Sequence, residues 1–302
     1  MHILSILAVA VVAATLALLL SRRYMATYVL IMSNLLIFFI SILSVPDLGQ
    51  SMFGWVQFEL GFRAVYLETG ENLWTIVTHM FVHASLLHVV MNMLFLFLIG
   101  TQLEQRIGRG RMLAVYFLGG LVAVFTETFL QWSPAAGHST TLLVGASGAI
   151  SALMGAMLLL YPHDEIPFFL GPIFMQRVKV WLSVGTWFLI QAFLLVAGAE
   201  MGVAYGAHVG GFLGGALVAR AVAHAPSASK DEALDISELS ACASTPQAER
   251  ALREAAAADE EDVRLAWLEE FAENARCPAC GQRPVLKGNK LKCGCGLELR
   301  WR

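Results

Sequence analysis

Seven runs of 18 to 20 mostly apolar residues recur along the chain, at about 3–20, 26–45, 84–101, 112–131, 143–161, 180–198 and 203–222. About 20 such residues, rising 1.5 Å each, are what a helix needs to cross a ~30 Å hydrocarbon layer. Lipid offers no partner to backbone N–H and C=O groups, so each run must be helical. Of the 302 residues 57% are hydrophobic and 14% charged, with a mean hydropathy of +0.65, which excludes a pair of ordinary soluble domains. The net charge of −3 conceals an uneven distribution, because most acidic residues lie beyond about 227. The chain therefore reads as an apolar body followed by a polar tail.

Lys and Arg beside short loops set the orientation of the spans. Arg22 and Arg23 lie between the first two runs, Arg106, Arg109 and Arg111 between the third and fourth, and Arg177 and Lys179 between the fifth and sixth. The opposite connections, 46–83, 132–142 and 199–202, carry Arg63 alone against Asp47, Glu59, Glu68, Glu71 and Glu200. This predicts an outside N-terminus and a cytoplasmic tail. The first run has a nearly uncharged start, "MH", and ends in "LLLSRRY" without a small-residue cleavage site, so it reads as a retained helix rather than a leader. The connection 46–83 is too apolar for solvated coil, and Trp55, Tyr66 and Trp74 suit the membrane interface. The connection 162–179 is similarly mixed, with prolines that stop the preceding span.

Polar side chains at membrane depth are costly and need either a local partner or a function. Three clusters occur: His79, His83, His88 and Asn92 in "HMFVHASLLHVVMN", Ser147 in "LLVGASGAIS", and His208 in "YGAHVGGFLGG". His88 and Asn92 stand four apart, on one helical face. Each cluster also has a packing explanation. Gly148, Ala152 and Ala156, like Gly211 and Gly215, fit the small-xxx-small spacing that lets membrane helices approach. His79 and His83 have the spacing of metal ligands, but no carboxylate accompanies them and HExxH is absent. A serine becomes a nucleophile when a neutral histidine takes its proton, and an oxyanion is stabilised by Asn, His and backbone N–H donors. Ser147, His208, His88 and Asn92 supply these parts.

The strings "HASLLHVVMN" (83–92), "GTQLEQRIGRG" (100–110), "GASG" (145–148) and "AHVGGFLGG" (207–215), in this order, resemble the rhomboid family of intramembrane serine proteases. The likeness covers about residues 26 to 222. It implies an all-α polytopic fold with a six-helix core, preceded here by one extra N-terminal helix. It implies Ser147 as nucleophile and His208 as base in a dyad without an acid, needing no cofactor. His88, Asn92 and the Ser147 N–H would form the oxyanion hole, with Gly145 letting the oxyanion or substrate backbone approach. Glu104 and Arg106 match a structural E-x-R feature. Substrates would be transmembrane proteins of the surrounding bilayer, cut near the outer face at a helix-weakened site after a small residue, and the expected setting is a prokaryotic cell membrane. One departure is Ser151, where members often carry an aromatic that stacks on the histidine; Tyr205 or another aromatic would have to compensate.

The tail opens with "PSASKDEALDISELSACASTPQ" and continues as an Ala- and Glu-rich helical stretch whose apolar side carries Leu252, Val263, Leu265, Trp267, Leu268 and Phe271. In "CPACGQRPVLKGNKLKCGCG", Cys277, Cys280, Cys293 and Cys295 form one C-x-x-C and one C-x-C knuckle, the pattern of a zinc ribbon. With four protein ligands such a zinc is structural. Arg283, Lys287, Lys290, Lys292, Arg300 and Arg302 make the module basic, but Trp301 is its only aromatic, so a cytoplasmic protein partner is expected rather than nucleic acid. The expected organisation is residues 1–23 as the added helix, 24–225 as the core, 226–276 as a polar, partly helical linker and 277–302 as the ribbon. Competing functions are a non-catalytic rhomboid-like protein that binds membrane clients, which typically lacks the Ser or His, and a transporter, which would need ionisable pairs at mid-bilayer.

Overall fold

A computed structural model describes residues 1–21, 24–45, 53–132, 141–170, 173–199, 202–223, 237–257, 261–287 and 290–300. Arg22, Arg23, Asp47, Glu200, Trp301 and Arg302, which the sequence analysis used, lie outside the described residues. The chain divides into two units, Met1–Ala225 and Pro226–Arg302.

In the first unit a helix stands at each apolar run: α1 (Ile3–Leu20) and α2 (Ala26–Leu43), then, after the short α3 (Trp55–Leu60), α4 (Val65–Thr69) and α5 (Thr75–Thr78), the third span. That span joins α6 (Leu86–Phe95) and α7 (Thr101–Ile107) through a π-helical turn. It is followed by α8 (Arg109–Gln131), α9 (Ser147–Leu160), α10 (Val180–Val196) and α11 (Tyr205–Ala223). Ile3–Leu20, Ala26–Leu43, Leu86–Ile107 and Arg109–Gln131 are long and apolar enough to cross a membrane.

The connection 46–83 is structured where it is described. Val56, Leu60, Phe62, Met80 and Phe81 are buried, while Trp55 and Trp74 keep about half their surface, as interfacial anchors would. The connection after α9 forms an antiparallel hairpin of β1 (Glu165–Leu170) and β2 (Ile173–Lys179). Its register slips between Ile166 and Phe168. Pro167 stands there without an N–H to give to the ladder.

Polar bonds tie the outer helices to the core. Thr15 of α1 donates to Ser33 of α2 at 2.6 Å. Arg109 donates to the carbonyls of Leu19 (2.7 Å) and Leu18 (3.3 Å) in the last turn of α1 and to that of Tyr24 beyond it. Glu104, only 7% exposed, accepts from the N–H of Ala26 (2.7 Å) and Thr27 (2.9 Å) and from the Thr27 hydroxyl (2.7 Å). It thereby caps α2, whose N-cap residue Met25 offers no side-chain acceptor. Arg106 pairs with Asp164 at 2.9 Å beside the hairpin.

At the centre, α9 is buried on all sides from Gly148 to Met157. Lipid supplies no hydrophobic drive between helices, so close backbone packing must do the work. A Cβ at Gly211 would lie 2.2 Å from the Gly148 carbonyl oxygen, one at Gly215 2.1 Å from that of Ala152, and one at Gly155 2.0 Å from that of Phe212. Only glycine allows α9 and α11 to touch through their backbones at these levels.

The second unit contains α12 (Ser237–Ser240), α13 (Pro246–Ala257), α14 (Glu261–Asn274) and a β3 (Val285–Lys287)–β4 (Lys290–Lys292)–β5 (Glu298–Arg300) antiparallel sheet. Thr245 accepts from the Ala248 N–H at 3.1 Å and Pro246 takes the first helical position, a matched start. The Ala- and Glu-rich stretch is thus two helices, not one. Ala248, Ala251, Leu252 and Ala255 of α13 and Leu268 and Phe271 of α14 share one core with Leu291 of the sheet, which a single straight helix could not bury. Leu265 is exposed, and the Val263 side chain lies outside the described residues.

Candidate functional site

The strand-like segment before α9 is held from the connection 46–83. Phe62 and Leu143 exchange backbone hydrogen bonds of 2.9 and 2.8 Å. The Gly145 N–H donates to the His79 carbonyl at 2.9 Å, and the Ala146 N–H to His83 Nε2 at 3.5 Å. His79 Nδ1 bonds the Thr75 carbonyl at 3.0 Å. These two histidines therefore brace the loop. Among the described residues they belong to no cluster of three or more metal-type ligands.

This bracing stops the fifth span early. The apolar run begins at about 143, but the helix begins at Ser147, because Gly145 adopts φ +116 and cannot be helical. The 14 residues of α9 rise only about 21 Å, less than a ~30 Å hydrocarbon layer. Ser147 stands half-buried at the first position of this short helix.

His88 is aimed at the same loop. Ser85 caps α6 by accepting from the His88 N–H at 3.2 Å. The Ala84 N–H points at His88 Nδ1 at 3.4 Å, which leaves the proton of the neutral ring on Nε2. A Cβ on Gly145 would lie 2.7 Å from both Cε1 and Nε2 of that ring. Gly145 thus makes room for the His88 ring. One turn on, Asn92 is 6% exposed, and its Nδ2 donates to the His88 carbonyl at 2.8 Å, leaving its second amide hydrogen uncommitted.

His208 stands in the first turn of α11, beside the point where Ala207 and Gly211 meet Gly148. Glu127 of α8 accepts from the Ala207 N–H at 2.9 Å and so satisfies an opening donor of α11. Ser151 turns back on its own helix, donating to the Ser147 carbonyl at 2.6 Å. The aromatic contact to His208 comes instead from Trp187 of α10, with ring centroids 5.7 Å apart, and edge-on from Tyr205 at 6.5 Å. Gln191, one turn after Trp187, places Oε1 2.7 Å from His208 Nδ1. Gln191, Trp187 and Glu127 carry no motif, although an amide and a carboxylate inside apolar spans are visible signals in the sequence.

Residues 70–225 match the family model described as the Rhomboid domain, just over half of the chain. The chain belongs to the rhomboid family. With four membrane-length helices, this makes it an integral membrane protein. Among its relatives, rhomboid protease AarA of Providencia stuartii is 25% identical over 209 residues, covering 64% of this chain and 70% of the relative. Rhomboid protease GlpG of Klebsiella pneumoniae is 33% identical over 138 residues, 46% of this chain and 44% of the relative. RHOMBOID-like protein 6, mitochondrial, of Arabidopsis thaliana is 39% identical over 90 residues, 30% of this chain and 27% of the relative. The chain thus spans from about a quarter to 70% of these relatives, which come from bacteria and a plant.

Outside the matched region, the rhomboid chain carries its cysteine cluster. The four sulfurs of Cys277, Cys280, Cys293 and Cys295 lie within 4.8 Å of one another, with Cys277–Cys295 at 3.6 Å and Cys280–Cys293 at 3.3 Å. A tetrahedral zinc with ~2.3 Å Zn–S bonds needs sulfurs about 3.8 Å apart, so the donor set fits that ion. Each knuckle is closed by a glycine in the left-handed region, Gly281 (φ 72) and Gly296 (φ 95), whose N–H donates to the first cysteine's carbonyl. The shorter second knuckle does not prevent convergence. Burial would push the Cys277 thiol up, but the N–H groups of Ala279 and Cys280, with Cys295 and Cys293, bring it down to about 7. At Cys280 the Gln282 N–H acts downward, yet Cys293, burial and the other thiols carry it up to about 12.

Proposed function

We propose that this rhomboid protein is an intramembrane serine endopeptidase that cleaves transmembrane segments of other membrane proteins. The observation that carries the reading is the glycine-mediated seam of α9 and α11, which sets the first turns bearing Ser147 and His208 side by side. In the proposed reaction Ser147 Oγ attacks the scissile carbonyl and passes its proton to His208 Nε2. The oxyanion is met by His88 Nε2–H, the free Asn92 amide hydrogen and the Ser147 N–H. Collapse expels the amine, which takes the proton back from His208, and water then hydrolyses the acyl-enzyme by the same base.

The shortness of α9 is consistent with a serine set below the membrane surface and a substrate helix that must unwind to reach it. The loops rich in Lys and Arg support a reading with that end outside and the tail in the cytoplasm. The four cysteines would hold a structural zinc that ties the ribbon together, with no part in the hydrolysis. A protein partner is the proposed ligand of the tail.

Reconstituted protein should cleave a model transmembrane substrate and react with a serine-directed fluorophosphonate. Ser147→Ala and His208→Ala should each abolish cleavage while melting normally. Persistent cleavage in either variant would refute the mechanism. Clean folding with no cleavage and no labelling of the unaltered protein would favour a client-binding role.

A further inference from the structure

We propose that Gln191 is a positioning residue for the base, doing through a neutral amide what a carboxylate does in soluble serine hydrolases. The inference rests on the reading of His208 as the base. His208 must present an unprotonated Nε2 to the serine, so its neutral ring must carry the proton on Nδ1. Gln191 Oε1 lies 2.7 Å from Nδ1, and a carbonyl oxygen can only accept. The reversed amide would press an N–H against Nδ1, move the ring proton to Nε2 and disable it as a base. Once the ring has taken the serine proton, the carbonyl still accepts from Nδ1–H, and its dipole faces the developing positive charge.

The placement on α10 supports a specific role. Trp187 and Gln191 are one turn apart, so a single helical face gives His208 both a ring contact at 5.7 Å and a hydrogen bond. Gln191 stands in an otherwise apolar stretch, "WFLIQAFLLV", where an unpartnered amide is costly. A carboxylate there would fix the same tautomer but add a charge at membrane depth. Glu127, the nearby carboxylate on α8, is engaged with the Ala207 N–H and with Gln131. It acts on the start of α11 rather than on the His208 ring.

Gln191→Met keeps length and removes the acceptor, whereas Gln191→Glu keeps an acceptor whether ionised or protonated. With unaltered melting, Gln191→Met is expected to lower kcat by about 10- to 100-fold, the usual scale for a partner that orients a working histidine, with KM little changed. Gln191→Glu should restore most of that loss. Wild-type kcat in Gln191→Met, or equal losses in both variants at native stability, would overturn the proposal. Independently of turnover, nitrogen-15 NMR of histidine-labelled protein, assigned with His208→Ala, should show neutral His208 protonated on Nδ1, and an Nε2–H tautomer would overturn it. Retained cleavage by Ser147→Ala or His208→Ala would instead sink the protease reading, leaving the tautomer measurement to judge the contact.

Discussion

Replacing Gly211 by alanine drives a methyl group into the backbone of the serine-bearing helix. The new Cβ would lie 2.2 Å from the Gly148 carbonyl oxygen, 3.0 Å from its carbon and 3.3 Å from the Ala123 Cβ. Carbon and carbonyl oxygen settle no closer than about 3.3 Å, so roughly 1 Å must be found. The obstructing atoms are helical backbone and cannot rotate aside as a side chain would. The helices must therefore separate, at an overpacking cost of about 1–3 kcal/mol. Gly148 follows Ser147 directly and Gly211 lies one turn after His208, so the displacement falls on the two reacting groups. A ~1 Å misplacement typically costs about 100-fold in rate. We predict that Gly211→Ala cleaves a transmembrane substrate in liposomes with kcat down about 100-fold and a lowered melting midpoint. Fluorophosphonate labelling should slow in parallel. Gly185→Ala on α10, where nothing lies within 4 Å of a new Cβ, should behave as wild type. Wild-type kinetics and melting in Gly211→Ala would refute the claim that the α9–α11 distance sets the site.

Three further outcomes follow from named contacts. Glu104→Ala leaves the Ala26 and Thr27 N–H groups and the Thr27 hydroxyl without their acceptor and should cost about 2–3 kcal/mol, read as a lower thermal midpoint in detergent; an unchanged midpoint would show that α2 is capped some other way. Gly145→Ala meets both the φ of +116 and the His88 ring at 2.7 Å, a strain of about 1–3 kcal/mol, and should slow fluorophosphonate labelling at least ~10-fold; labelling at the wild-type rate would remove His88 from the loop. Zinc binds thiolates, so protons compete with the metal for the four cysteine sulfurs, and stabilisation by zinc should be lost as the pH falls. Metal release on acidification, followed with a chromophoric chelator, checks this, and release on raising the pH instead would contradict thiolate ligation.

Much of this arrangement could be read along the chain. Four strings in order marked the family, and the cysteine spacing marked the ribbon, because ligands closing one small loop are nearly adjacent in sequence. Less legible were the features that arise between distant segments. Ser151 left the orientation of His208 open, and the structure answers with Trp187 and Gln191 from another helix. The fifth span reads as 143–161, yet Phe62, His79 and His83 bind the loop and delay the helix to Ser147. In the tail, one helical pattern conceals two helices whose apolar faces meet.

The sequence alone determined where the apolar helices of the first unit lie, because lipid leaves unpaired backbone no alternative to a helix. It could not determine which side of each helix faces which neighbour. α9 and α10 are apolar nearly all round and carry no face that periodicity could reveal. Glycine contacts between α9 and α11 and one amide on α10 settle that rotation, and these depend on partners 17 to more than 60 residues away, such as Gln191 with His208 and Gly148 with Gly211.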